Sequence, residues 1–245
     1  MRAGDYIAAL QDLPRGTVED LTGCQPFLVL SPHPDDETLG CGGLLAAAAS
    51  QDISAHVLIL TDGAASHPRS SSHPAERLAA LRRDEARRAL ACLGLSEHRL
   101  GFLDLRDAAT PAGGPEFDAA VDDIAHYAAA IGARRLFVTW GHDPHCDHET
   151  AYAMARGAAR RLGSGLHAYP VWGLHLPPDT QIDEAPPCGV RLDISAHRAQ
   201  KKHALDCYAS QMTDLIDDDP TAFRFTAAQL VPFLEPDETY IEVVP

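Results

Sequence analysis

The sequence is short of positive charge, of long apolar runs and of closely spaced cysteines, and each shortage closes off a class of function. Its 20 Lys and Arg face 35 Asp and Glu, a formal net charge of -15 at pH 7. Such a chain repels phosphate backbones and anionic lipid, so neither nucleic acid nor a membrane is expected as a partner. No apolar stretch approaches the roughly 18 residues that span a bilayer. The opening residues, MRAGDYIAALQDLP, contain neither a signal-peptide apolar core nor a small-residue cleavage site, and a cytoplasmic location is the expectation. Six cysteines, Cys24, Cys41, Cys92, Cys146, Cys188 and Cys207, are scattered without a CxxC pair. That spacing suits reduced thiols and predicts no structural disulfide.

What is present is an alternation of strands and helices. With 245 residues and 45% hydrophobic content the chain can bury a sizeable core, and no linker divides it, so residues 1–245 are expected to form one domain. Three short, nearly unalternating apolar runs, Pro26 to Ser31, Ala55 to Thr61 and Arg135 to Trp140, have the composition of parallel strands covered on both faces. Helical stretches are predicted at Thr38 to Ala49, Ala75 to Leu93 and Phe117 to Ile131. This order predicts an α/β sandwich with a mostly parallel central sheet. The turn-rich stretch Ser66 to Pro74 is expected to be a mobile loop edging the ligand crevice. From about Gly163 the chain is richer in proline and reads as less regular, with a helical patch from Ser195 to Gln211 and a strand from Tyr240 to Val244.

Two clusters of His and Asp stand directly after predicted strands. In the first, Ser31-Pro32-His33-Pro34-Asp35-Asp36-Glu37, a tight turn can aim His33 and Asp36 at one ion while Asp35 stays free, and the prolines restrict the backbone around His33. The plain alternative is that Asp35 or Asp36 caps a helix. The second cluster is Gly141-His142-Asp143-Pro144-His145-Cys146-Asp147-His148-Glu149-Thr150, in which His145 and His148 repeat the three-residue spacing. A lone His is usually an ordinary polar residue; two such clusters at the carboxyl ends of parallel strands point to one site. Two imidazoles and one carboxylate leave a coordination position open, as in a catalytic rather than a structural zinc site. Another divalent ion such as Fe2+ is also compatible with these donors. Cys146 lies between the histidines and is expected to face away.

At these residues the sequence resembles the LmbE/PIG-L deacetylase family, marked by an (A/S)HPDDE turn early and an HxDH turn late. Here they read SPHPDDE at 31 to 37 and HCDH at 145 to 148. The similarity extends to Leu39-Gly40-Cys41-Gly42-Gly43, the Leu-Thr-Asp-Gly turn at 60 to 63, Arg82, Glu85 and the stretch Lys202 to Gln211. The resemblance implies a Rossmann-like fold, a Zn2+ cofactor and removal of an N-acetyl group from an N-acetylglucosamine-type amino sugar or its conjugate. It assigns His33, Asp36 and His148 as metal ligands and Asp35 as general base. His145 then stabilises the oxyanion or protonates the leaving amine. Some relatives place a Tyr two residues before that His; this chain has Asp143, which removes a hydroxyl that could support the oxyanion.

Rival readings come from different classes. The run Leu39 to Gly43 superficially echoes the loop of an S-adenosylmethionine-dependent methyltransferase, but a full His-Pro-Asp-Asp-Glu turn separates it from the strand, and helix packing explains the glycines better. A non-catalytic sugar-binding module would not need Asp35 and His145 beside three ligands. An amidase acting on a larger conjugate would use the same turns. Arg82 is a candidate for reaching substrate hydroxyls, with a solvated helix face as its ordinary alternative. Asp104 and Asp107 are candidates for lining the crevice, with a capped turn as theirs. His67 and His73 are assigned to the mobile loop.

Overall fold

The structure, a computed structural model, describes residues 1–245. Eight strands form one sheet: β1 (Arg15–Gly16), β2 (Phe27–Ser31), β3 (Ala55–Thr61), β4 (Leu100–Leu105), β5 (Arg135–Thr139), β6 (Gly165–Tyr169), β7 (Gly189–Asp193) and β8 (Asp237–Val243). Their spatial order is β1-β7-β8-β6-β5-β2-β3-β4. The pairs from β6 through β4 are parallel, and β8 runs antiparallel to both β6 and β7.

The absence of polar alternation in β2 and β3 follows from burial of both faces, and every residue of the two strands is buried. Phe27 and Val29 point into one core, shared with helices α3 (Asp36–Ser50) and α4 (Ala75–Cys92). Leu28 and Leu30 point into the other, shared with α5 (Gly114–Ala130) and α6 (Cys146–Leu162). The result is the three-layer α/β sandwich expected from sequence. The glycines of α3 allow its close approach to the sheet. A Cβ on Gly40 would lie 2.0 Å from the Tyr169 ring, and one on Gly43 would lie 2.3 Å from Ile194. Helix packing, not nucleotide contact, therefore accounts for this run.

The topology also fixes where a ligand can enter. From β2 the chain passes through α3 to β3 on one side, and from β5 through α6 to β6 on the other, although β2 and β5 are neighbours. The crevice at the carboxyl ends of two such diverging strands is the usual ligand site of an open α/β sheet. Both His and Asp clusters open into it.

Three local expectations need correction. Helix α3 begins at Asp36 rather than Thr38, so the metal-binding turn runs directly into it. The region after Gly163 contains β6 and β7, whose partners along the sheet are distant in sequence. The serine-rich stretch is not loose. Asp218 accepts from the Ser70 hydroxyl (2.7 Å), the Ser71 amide (2.9 Å) and the Ser72 amide (2.8 Å), and Asp219 accepts from the Arg69 amide (2.7 Å). A cross-loop clasp holds it, and His67 within it is buried.

Candidate active site

The turn after β2 is braced from beneath by Glu37. Its carboxylate accepts from the Asp35 amide (3.1 Å), the Thr38 hydroxyl (2.6 Å) and the Tyr208 hydroxyl, while Ser31 lies 3.1 Å away. Fully buried and fully engaged, Glu37 shapes the turn and is not available as a base. Asp35 sits at φ 143°, a region that side-chain-bearing residues rarely occupy, so the turn stores strain at the residue it presents to the cavity.

Three donor atoms converge above this turn. His33 Nδ1 lies 3.2 Å from Asp36 Oδ2, His148 Nε2 lies 3.2 Å from the same oxygen, and the two nitrogens are 3.3 Å apart. Ligands about 2.0–2.1 Å from a tetrahedral zinc are separated by roughly 3.3–3.4 Å, so the trio fits one zinc-sized ion. The far side of each imidazole is also held. His148 Nδ1 lies 2.9 Å from Asp143, and His33 Nε2 lies 3.0 Å from Asp147 and 3.2 Å from Asp107. Such carboxylate–imidazole pairs fix the ring and its tautomer.

The charge balance favours a cation. Burial alone would lower the His148 pKa, but Asp36 and Asp143 outweigh it and raise the imidazole to about 9. Burial alone would raise Asp36, yet His148 and His33 hold its carboxyl well below the usual range. In the metal-free site, protons on the imidazoles compensate the buried carboxylates; a metal ion bound to the same atoms displaces them.

Beside the trio, Asp35 pairs with Arg82 at 3.1 Å, and Arg82 also donates to the Gly63 carbonyl (2.9 Å) and the Pro34 carbonyl (2.8 Å). Arg82 is buried, which removes the solvated-face alternative. Burial, reinforced by Asp36, pushes the Asp35 carboxyl up to about 8 against the pull of Arg82 and His33. His145 caps α6: its Nδ1 accepts the Asp147 amide at 3.2 Å. The neutral ring therefore carries its proton on Nε2, as a donor. Burial, then the neighbouring His33 and His148, lowers its pKa and favours that neutral form.

The family model described as PIG-L, GlcNAc-PI de-N-acetylase, matches residues 28–159, more than half of the chain and both turns. The chain belongs to the PIG-L family. 2'-N-acetylparomamine deacetylase from Streptomyces fradiae is 32% identical over 142 residues, which cover 54% of this chain and 51% of that protein. The chain thus matches about half the length of that relative. Among solved structures, N,N'-diacetylchitobiose deacetylase from Pyrococcus horikoshii superposes with a TM-score of 0.67 at 18% identity, covering 89% of this chain and 83% of its own. The 4-carboxy-2-hydroxymuconate hydratase GalB from Pseudomonas putida KT2440 gives 0.66 at 19% identity, covering 90% and 97%. At these identities both establish the fold.

In this PIG-L chain the cavity over the site has a volume of about 470 Å³, and His33, Asp35, Asp36, Arg82, Asp107 and His145 are among the residues that line it. Asp104 is a correction: it is exposed at the end of β4, pairs with Arg83, and does not line the cavity. His142 turns away to Glu184, 3.4 Å distant, and Cys146 is exposed. Sequence reasoning missed the role of Asp143. It is fully buried and binds His148, so the position occupied by Tyr in some relatives here orients a candidate metal ligand. It also missed the aromatic side of the cavity, formed by Trp172, Phe223 and Phe225. No helix is long and apolar enough to cross a membrane.

Proposed function

We propose that the protein is a metal-dependent hydrolase that removes the acetyl group from an N-acetylated amino sugar or its conjugate. The convergence of His33 Nδ1, Asp36 Oδ2 and His148 Nε2 within 3.3 Å, with Asp35 beside them, carries this reading. Because the same fold is found in a hydratase, the fold itself does not choose the reaction. The side chains do. His33, Asp36 and His148 would hold Zn2+, or another divalent ion such as Fe2+ that accepts the same donors. Bound there, the ion would polarise the acetyl carbonyl and lower the pKa of water towards about 7.

The remaining steps belong to the chain's own groups. Asp35 takes the proton of the attacking water; Arg82 holds its carboxylate in place and favours the charged form that can accept it. The His145 Nε2–H donates to the developing oxyanion, and the proton that Asp35 has taken from the water passes to the departing amine, a poor leaving group without protonation. Arg82 and Asp107 are the proposed contacts to substrate hydroxyls, since both line the cavity. The Streptomyces fradiae relative, named for an N-acetylated paromamine, supports an amino-sugar conjugate as the substrate class. Acetate release from a panel of N-acetylated amino sugars tests the proposal. Activity that appears with added zinc and disappears on chelation is expected; release of no acetate by zinc-loaded protein across the panel would refute it.

A further inference from the structure

We propose that Trp172 and Phe223 form an apolar subsite, in the same cavity as the catalytic side chains, for a ring joined to the acetylated amino sugar. The inference rests on the deacetylase reading and extends it to a part of the molecule that does no chemistry.

The cavity lining is of two kinds: His33, Asp35, Arg82, Asp107 and His145 are polar or charged, and Trp172, Phe223 and Phe225 are large aromatics. The Trp172 and Phe225 rings are stacked at 5.2 Å, and Phe223 stands edge-on to both, 5.3 Å from Trp172 and 4.9 Å from Phe225. Phe225 is buried, whereas Trp172 and Phe223 remain half-buried in the cavity wall. Large aromatic faces left partly open inside a concave site that also holds a few polar groups are the usual anchor for the apolar part of a ligand.

This wall is built, not incidental. Asp143, which holds His148, also accepts the amides on both sides of Trp172: Val171 at 3.1 Å and Gly173 at 2.7 Å. A Cβ on Gly173 would lie 2.4 Å from the Trp140 ring and 2.7 Å from Asp143, so only glycine permits this approach. One buried carboxylate thus positions both a candidate metal ligand and the aromatic wall. On the other flank, the Phe223 amide donates to the Ser66 carbonyl (3.0 Å) and the Phe225 amide to the Gln211 carbonyl (2.9 Å). The Asp218 clasp on the serine-rich loop secures the same pair of segments. With the acetamido group at the catalytic residues, a ring attached to the sugar stays within a cavity that these aromatic faces also line. A flat ring with an apolar face, whether a second pyranose or an apolar aglycone, suits them.

The test compares zinc-loaded wild type, Trp172→Ala and Phe223→Ala on free N-acetylglucosamine, N,N'-diacetylchitobiose and phenyl N-acetylglucosaminide. Wild type should prefer a ring-bearing substrate by roughly tenfold or more in kcat/KM, and both variants should lose most of that preference through KM. Preference for both ring-bearing substrates indicates recognition of a ring face in general; preference for the phenyl compound alone indicates an apolar aglycone. Equal losses on all three substrates would overturn the proposal. Failure of wild type to release acetate from any of them would instead refute the deacetylase reading. The subsite is then judged by emission, because Trp140 is only 1% exposed and Trp172 is the one other tryptophan. Phenyl N-acetylglucosaminide should change that emission, with weaker binding in Phe223→Ala. An unchanged emission would overturn the subsite.

Discussion

The candidate metal site is assembled from two short turns, residues 31–37 and 141–149, whereas the aromatic lining of the cavity draws Trp172 from one segment and Phe223 and Phe225 from another some 50 residues away. The first is fixed by directional bonds. Both imidazole ligands have a carboxylate partner on the far side of the ring, Asp36 Oδ2 accepts from the His33 amide, and Glu37 braces the turn beneath them. The second is fixed by ring packing and by backbone amides tied to Asp143, Ser66 and Gln211. Changes on the first side should therefore alter turnover and metal retention, and changes on the second should alter which substrate is preferred. Asp143 is where the two meet.

The sharpest separation comes from Asp35→Asn. The variant keeps the shape of the side chain but has no basic oxygen to accept a proton, so turnover should fall roughly 10²- to 10⁴-fold with zinc content and substrate affinity retained. Steady-state kinetics on metal-quantified protein measures this, and near-normal turnover would remove Asp35 as base. His145→Ala should lower turnover by roughly 10²- to 10³-fold and leave the metal in place. Metal analysis of that variant decides its role: if zinc departs with the ring, His145 is a ligand.

Asp143→Ala tests the junction. Freed from its carboxylate, the His148 ring should lose its orientation, weakening zinc affinity by roughly 10- to 100-fold in chelator competition. Undiminished affinity would limit Asp143 to bracing residues 171–173. The smallest expected effect is on stability. Metal-free Asp35 has a folded pKa of about 8, above its usual unfolded value of about 3.9. Between those values the folded state holds a proton that the unfolded state has lost, so the contribution to stability is full below about pH 4 and lost as pH rises through 8. The metal-free Asp35→Asn protein should therefore gain in Tm over wild type more at pH 8 than at pH 5. An equal difference at both pH values would show that Asp35 ionises normally.

The catalytic side was legible in sequence because its information is local. Spacing alone brings His33 near Asp36 and keeps Asp35 apart, and the unalternating strands before each turn announce a buried parallel sheet. The sandwich and the placement of both turns at one crevice followed from the same pattern. Asp143 was opaque because its role depends on a bond to His148 and on amides some 30 residues away in a different loop. Asp107 and Asp104 looked equivalent on paper. The structure separates them, since Asp107 turns in towards His33 while Asp104, at the end of β4, faces solvent and Arg83. The aromatic wall had no periodic signal, being one residue at the start of a four-residue 3-10 helix and two in an irregular segment. The serine-rich stretch misled because its turn composition says nothing of the Asp218 and Asp219 carboxylates that hold it.

The central claim is that His33, Asp36 and His148 share one catalytic metal ion, and metal content tests it most directly. After reconstitution with zinc and removal of excess, the wild-type protein should carry about one ion per chain, and His33→Ala, Asp36→Ala and His148→Ala should each be depleted, since a three-ligand site seldom survives the loss of one. Full occupancy in all three variants would contradict the account.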